Sequence, residues 1–214
     1  MGFNITGVTR ILIIMNVVLY FGSSILPAEA STIPLWLAVH YPTSEFFKPV
    51  QLITHMFMHG SLQHLFFNMF GLYMFGPPLE YVLGPKRFLI YYLGSGFGAL
   101  ALDFAVKYGM LHFGNVSDDQ AYAIINTPMV GASGALFGLL AGYAMFFPNN
   151  VLQLLFPPIP IKAKYFVLIY AAIELFLGVS GRQANVAHFA HLGGALFGFL
   201  CILYWRKTGT IGKY

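Results

Sequence analysis

Charge is scarce in this chain. Only 8% of its 214 residues are Asp, Glu, Lys or Arg, against about a quarter in an ordinary soluble domain. A water-facing surface needs those charges, so their shortage excludes a soluble globular domain and leaves lipid as the surroundings. Cysteine is nearly missing as well. The single one, Cys201, lies in an apolar run, which excludes a disulfide framework and a cysteine metal site and leaves a small buried apolar residue. Acidic residues are few, 7 against 11 Lys and Arg, for a net charge of +4 and a pI of about 9.1. In a membrane protein, cytoplasmic-loop Lys and Arg account for that balance better than a nucleic-acid partner. What is abundant is apolar: 58% hydrophobic and 17% aromatic, with a mean hydropathy of +0.72. Lipid contact and interfacial belts explain the aromatics.

A spanning helix takes roughly 20 apolar residues, and the hydrophobic runs predict helices near 9–26, 62–83, 87–108, 128–147, 164–181 and 186–205. The expectation is an all-α polytopic protein, one membrane domain of six transmembrane helices over residues 1–214. Breakers separate the runs: Gly84-Pro85, Asn126-Thr127-Pro128 and Pro157-Pro158-Ile159-Pro160. Two longer inserts, 27–61 and 109–127, join spans one to two and three to four. Six spans put both termini on one side. Arg10, Lys86, Arg87, Lys162, Lys164, Arg206, Lys207 and Lys213 fall at one face, and only Lys48, Lys107 and Arg182 at the other. The positive-inside tendency then makes the termini cytoplasmic and both inserts external. Arg10, the run from Ile11 and Ala28-Glu29-Ala30 resemble a signal peptide, but the run is longer than a typical signal core. Met1-Gly2 with Thr6 gives a short match to a myristoylation pattern. Short termini and the absence of a transit signal point to a bacterial inner membrane.

Ionisable or strongly polar residues inside spans are costly, so each is a functional candidate. They are His64, Asn68, Asp103, Ser133, Glu174, His188 and His191. Spans two, four and six all start at the external side. At about 1.5 Å rise per residue, His64, Asn68, Ser133 and His191 lie from several to roughly 10 Å below that surface. Polar groups from three helices therefore share one depth. Their types suit acyl transfer. A serine hydroxyl needs a base to take its proton, and histidine does that near neutral pH. A tetrahedral intermediate needs donors at its oxyanion. His64 and Asn68, at i and i+4 on one helix face, can both donate, as can the Ser133 backbone N–H at a helix start. No carboxylate is required if packing orients the imidazole, which makes a dyad the expectation. Residue type alone leaves the base open between His188 and His191.

Gly134, Gly138 and Gly142 recur every fourth residue on span four, and Gly194 and Gly198 on span six. Small residues at this spacing let helix backbones come close, which a side chain as short as serine requires. His55 and His59, also at i and i+4, lack the glutamate of an HExxH zinc site, so structural hydrogen bonding is expected there rather than a metal. No metal or other cofactor is expected. Asp103 and Glu174 read as buried residues with a hydrogen-bond partner on another span rather than an ion path. Glu80 is expected to tie down the cytoplasmic end of span two beside Lys86 and Arg87.

Gly131-Ala132-Ser133-Gly134 resembles the GxSG motif of rhomboid proteases, and His64-Leu65-Phe66-Phe67-Asn68 their HxxxN, extended upstream by His55 and His59. His191-Leu192-Gly193-Gly194, followed by Gly198, is similar to the last-span HxxGxxxG, and the stretch from Glu80 to Lys86 to the end of the second span. The likeness covers roughly residues 45–205 in order. It implies a six-helix fold, cleavage of transmembrane protein substrates within the bilayer, Ser133 as nucleophile and His191 as base. It also implies His64 and Asn68 at the oxyanion, Phe137 packed on the catalytic histidine, and an opening beside span five through which substrate reaches the site. The register favours His191 over His188. Lys48-Pro49-Val50-Gln51 lacks the Trp-Arg pair of many members. Two other functions compete: a rhomboid-like pseudoprotease that binds membrane helices without cutting them, and a small transporter. Both Ser133 and His191 being present weighs against the first, and the lack of inverted repeats against the second.

Overall fold

The computed structural model describes residues 7–24, 36–153, 158–180 and 187–212. Among them the regular structure is helical apart from one small hairpin and an isolated bridge, a multi-span membrane fold as the composition demands. The helices are α1 (Gly7–Ser24), α2 (Gln51–Thr54) with a 3-10 turn (His55–Phe57), α3 (Leu62–Leu83), α4 (Pro85–Phe113), α5 (Asp118–Asn126), α6 (Ser133–Phe146), α7 (Ala163–Ser180) and α8 (His188–Lys207). Strands β1 (Val151–Gln153) and β2 (Pro160–Lys162) pair antiparallel between α6 and α7. Helices α4, α7 and α8 are long and apolar enough to cross a membrane. Large apolar side chains such as Ile14, Val18, Phe66, Leu168, Phe176 and Leu200 face outward, where water would penalise them and lipid does not. Ala28-Glu29-Ala30, the N-terminal Met1-Gly2 pattern, Pro157, Arg182 and Lys213 lie outside the described residues.

Two boundaries differ from those the hydropathy runs predict. Helix α4 continues to Phe113, and α6 starts at Ser133 rather than 128. Residues 128–132 are apolar but not part of the helix, and Met129 exchanges both backbone hydrogen bonds with Val39, each 2.9 Å. With 14 residues, α6 is only about 21 Å long, so its first turn sits inside the bundle rather than at its edge.

Helices α4, α6 and α8 form the tight centre. A methyl group at Gly194 would collide with the backbone carbonyl of Gly134, and one at Gly198 would come within 2.8 Å of the Gly138 backbone. Gly138 itself faces Ser95 of α4, so the glycine row of α6 admits two neighbours. Tyr91 fills the junction, fully buried, and its hydroxyl donates to the Gly138 carbonyl at 2.7 Å.

Glu80 plays a part other than the expected one. Its carboxylate accepts from the backbone N–H groups of Val8 (2.7 Å) and Thr9 (2.8 Å) and from the Thr9 hydroxyl (2.7 Å). It therefore caps α1, satisfying N–H groups that a helix start leaves open and placing negative charge at the positive end of the dipole. Gly7 takes φ 70°, and any side chain there would strike that carboxylate. The start of α1 is thereby fixed to the end of α3. At the same end of the bundle, Arg206 near the end of α8 donates to the Met145 carbonyl of α6 at 2.9 Å.

Both long inserts gather at the opposite end and hold each other. Besides the Val39–Met129 pair, the Ser44 hydroxyl donates to Asn126 Oδ1 at 2.7 Å, and α5 carries a capping box from Ser117 and Gln120. Gln51, fully buried, organises the first insert. Its amide donates to the Trp36 and Phe46 carbonyls at 3.0 and 2.9 Å, and its oxygen accepts from the Lys48 N–H at 3.1 Å. Lys48 lies over the Trp36 ring at 3.8 Å, a cation–π contact within the insert that lacks the Trp-Arg pair. His55 Nδ1 donates to the Gln51 carbonyl at 2.9 Å. Burial pushes both His55 and His59 down to about 4.

Glu80→Ala removes the α1 cap and is expected to cost about 1–2 kcal/mol, read as a lower Tm of the detergent-solubilised protein. His55 and His59 predict acid sensitivity. Above pH 6.5 the imidazoles are neutral folded or unfolded and contribute no slope. Between pH 6.5 and 4 the unfolded chain takes up protons that the folded one refuses, so stability falls with pH, by on the order of 3 kcal/mol per histidine at most. Replacing both with Gln should flatten a Tm-against-pH curve over that window. An unchanged slope would contradict the assignment.

Candidate active site

The chain reaches Ser133 as non-helical backbone tied into the first insert. The Gly131 N–H donates to the His55 carbonyl at 2.9 Å, and Gly131 adopts φ 123°, a conformation that favours glycine. Space matters there too. A Cβ on Gly131 would lie 2.7 Å from the His64 ring and 3.6 Å from Asn68 Nδ2. His64 and Asn68 of α3 therefore flank the peptide that leads into the serine. Ser61 caps α3 by accepting the His64 N–H at 3.1 Å. Asn68 Nδ2 is buried without a hydrogen-bond partner, so one donor at this place is uncommitted.

Ser133 opens α6, where the first N–H groups have no intrahelical acceptor. Its Oγ lies 2.8 Å from His191 Nε2 on α8. Phe137, one turn further along α6, stacks on the His191 ring with centroids 4.4 Å apart and planes 6° from parallel. Gly134 and Gly194 let the two backbones touch just below this pair. Of the residues singled out in the sequence, Ser133, His191, Phe137 and the four glycines Gly134, Gly138, Gly194 and Gly198 thus lie along one seam, with His64 and Asn68 across from its upper end.

His188 does not touch the serine. Its Nδ1 is 2.7 Å from Glu174 Oε2, and His191 Nδ1 is 3.0 Å from that same oxygen. Glu174 is buried with a partner on the next helix, as its burial in the membrane requires, but its place behind the imidazole is additional to the residues weighed as a site. Depth was the available signal. Glu174 lies six residues before the end of α7, roughly 9 Å in from that end, the same depth as Ser133 and the histidines. Asp103 pairs with Lys107 one turn away, 2.9 Å. His59 meets the His64 ring edge-on at 5.0 Å. Among the described residues no group of three or more His, Cys, Asp or Glu is arranged to hold a metal ion.

A cavity of about 1050 Å³ opens above the pair, bounded by Ser133 and His191, by Gln63 and Phe67 of α3, and by Tyr170 and Leu177 of α7. Helix α7 packs on α8, on α6 and on the hairpin, and among the described residues makes no more than marginal contact with α3. The site thus sets a serine hydroxyl against an imidazole nitrogen, across from the Asn68 amide and the His64 ring, on the wall of this cavity.

The rhomboid domain matches residues 47–208 of the chain. The putative rhomboid protease YdcA of Bacillus subtilis is 31% identical over 160 residues, covering 71% of this chain and 67% of that one. The rhomboid protease AarA of Providencia stuartii is 28% identical over 199 residues, 90% of this chain and 70% of its own. The mitochondrial rhomboid protein 1 of Saccharomyces cerevisiae is 33% identical over 160 residues, 74% of this chain but 42% of its own length. With the domain covering most of its length, this chain belongs to the rhomboid family.

Proposed function

We propose that this protein is an intramembrane serine endopeptidase that cleaves transmembrane segments of other membrane proteins. The observation that carries the reading is the 2.8 Å contact between Ser133 Oγ and His191 Nε2 at the floor of a cavity large enough for an extended peptide. Ser133 Oγ attacks the scissile carbonyl carbon as its proton passes to His191 Nε2. The oxyanion is met by the Ser133 N–H at the start of α6, by the Asn68 amide and by the His64 ring. The His191 imidazolium then gives its proton to the departing amine, leaving an ester on Ser133. A water, losing its proton to His191, hydrolyses that ester and restores the serine. Phe137, stacked on the ring, fixes the plane in which the imidazole works.

The substrate must unwind to present an extended peptide at this depth, which favours segments weakened by Gly, Pro or polar residues near their outer boundary. The resemblance adds an expectation of a small side chain before the cut. Both bacterial and mitochondrial proteins are among the relatives, and a bacterial inner membrane with cytoplasmic termini is the location we propose.

Ser133→Ala in proteoliposomes with a reporter membrane segment should drop cleavage to background, a loss on the order of 10⁴-fold or more, with Tm preserved. His191→Ala should do the same, whereas His188→Ala should keep cleavage within about tenfold, as its ring does not reach the serine. Cleavage by the Ser133→Ala protein would eliminate the mechanism. A wild type that captures the segment intact would instead make the protein a binding member of the family.

A further inference from the structure

Glu174 is out of keeping with its helix. Of the residues in α7 only Ala163 and Glu174 are buried; the others face outward or are half-covered. A carboxylate inside a membrane is costly unless paired, and both available partners are histidines of α8 meeting the same oxygen, Oε2. His188 holds it with an aligned hydrogen bond at 2.7 Å. His191 Nδ1 approaches to 3.0 Å, outside hydrogen-bond alignment, so the carboxylate is anchored by His188 and bears on His191 chiefly as a charge. The opposite nitrogen of that ring is the one that meets Ser133 Oγ. For Nε2 to accept the serine proton, the ring hydrogen must sit on Nδ1, the edge that faces Glu174.

We propose that Glu174 is a positioning residue for the reaction, holding His191 in the Nδ1–H form and stabilising the imidazolium that appears as Ser133 attacks, so that the Ser133–His191 pair works with a carboxylate behind its imidazole. The inference rests on the proteolytic reading above. One proton moves, from Ser133 Oγ to His191 Nε2; Nδ1 keeps its hydrogen, and the carboxylate remains ionised throughout. A single unit of negative charge about 3 Å from the ring therefore opposes the positive charge created in the step, in surroundings of low dielectric where such a pairing is strong. Misalignment in the resting site is no obstacle, since catalytic hydrogen bonds commonly tighten only when substrate is bound.

The test compares wild type, Glu174→Gln, Glu174→Asp and His188→Gln in proteoliposomes, measuring kcat, KM, Tm and the pH profile of kcat/KM. The other titratable side chains on the cavity wall are His55, His64, Asp103, Lys107, Tyr170 and His188, and all but the last are common to the four proteins. Glu174→Gln is expected to lower kcat on the order of 10²-fold with KM within about threefold. It should also move the acid limb of the profile to lower pH, because the imidazolium has lost its counter-charge. Glu174→Asp should recover part of the rate, and His188→Gln should lose less than tenfold with the acid limb in place. A Glu174→Gln enzyme with wild-type kcat, or with a lower Tm but an unmoved profile, overturns the proposal. So does a His188→Gln enzyme that reproduces the Glu174→Gln defect, since the carboxylate would then be only a clamp between α7 and α8. If Glu174→Gln fails to fold, Glu174→Asp with unaltered rate and profile overturns it equally. A wild type that does not cleave brings down both readings; a cleaving wild type indifferent to Glu174 brings down this one alone.

Discussion

A serine hydroxyl reaches only a short way from its own helix, so the contact of Ser133 with His191 depends on how closely α6 and α8 can approach. The missing side chains decide this. Gly194 lies so near the Gly134 carbonyl, and Gly198 so near the Gly138 backbone, that a methyl at either would force the helices apart. Little hydrophobic drive joins helices in lipid, where packing and hydrogen bonds do the work. Tyr91 supplies both at this seam, filling the three-helix junction and donating to the Gly138 carbonyl. Moving the seam apart by one methylene's width would leave the serine and the imidazole in place on their helices but out of reach of each other.

The second constraint is the non-helical backbone that feeds the serine. Extended chain inside a membrane domain needs its polar groups satisfied by protein, and here the first insert does it. Val39 pairs with Met129, and the His55 carbonyl takes the Gly131 N–H. His55 in turn is held by the buried Gln51. A line of backbone and side-chain hydrogen bonds thus runs from the first insert to Gly131, two residues before Ser133. The expected cost of this arrangement is a loss of stability in acid, because burial lowers the pKa of His55 and His59. His64 and Asn68 add the third side, pressed against a Gly131 that has no room for a side chain.

The sequence made legible whatever depends on period and composition. Apolar runs fixed the helices to within a few residues, the glycine rows marked the seam, and shared depth gathered Ser133, His191, His64 and Asn68. It failed where an apolar run hid a change of backbone. Residues 128–132 read as a continuation of the apolar run that follows, and pairing of Met129 with Val39, distant in sequence, keeps the chain out of the helix there. It failed also for the buried polar residues whose partners are distant. Glu80 stands close to Lys86 and Arg87 in sequence, yet it caps α1. Gln51 looks like an ordinary loop residue, yet it is the hub of an insert. Local charge suggests local pairing, and in these cases a helix start and a set of loop carbonyls, neither carrying any charge in the sequence, compete successfully for the side chain.

Helix α7 shows how the chemistry and the path to it are joined. It is the helix that faces α3 across the cavity while scarcely touching it, and the resemblance implies that substrate comes in beside it. Apolar helices packed only by dispersion could separate there with little penalty. Glu174 changes that, because drawing α7 away would strand a carboxylate in lipid and two histidines without their partner. The helix is therefore pinned to α8 at one point, behind the imidazole, while its face towards α3 stays open. Under the proposed function, a membrane segment entering between α3 and α7 would call for a movement of α7 that leaves the Glu174 contacts intact, a bending or pivoting about that point. Any larger displacement would remove the charge behind His191, so that under the proposed function access to the site and the state of its imidazole depend on the same residue.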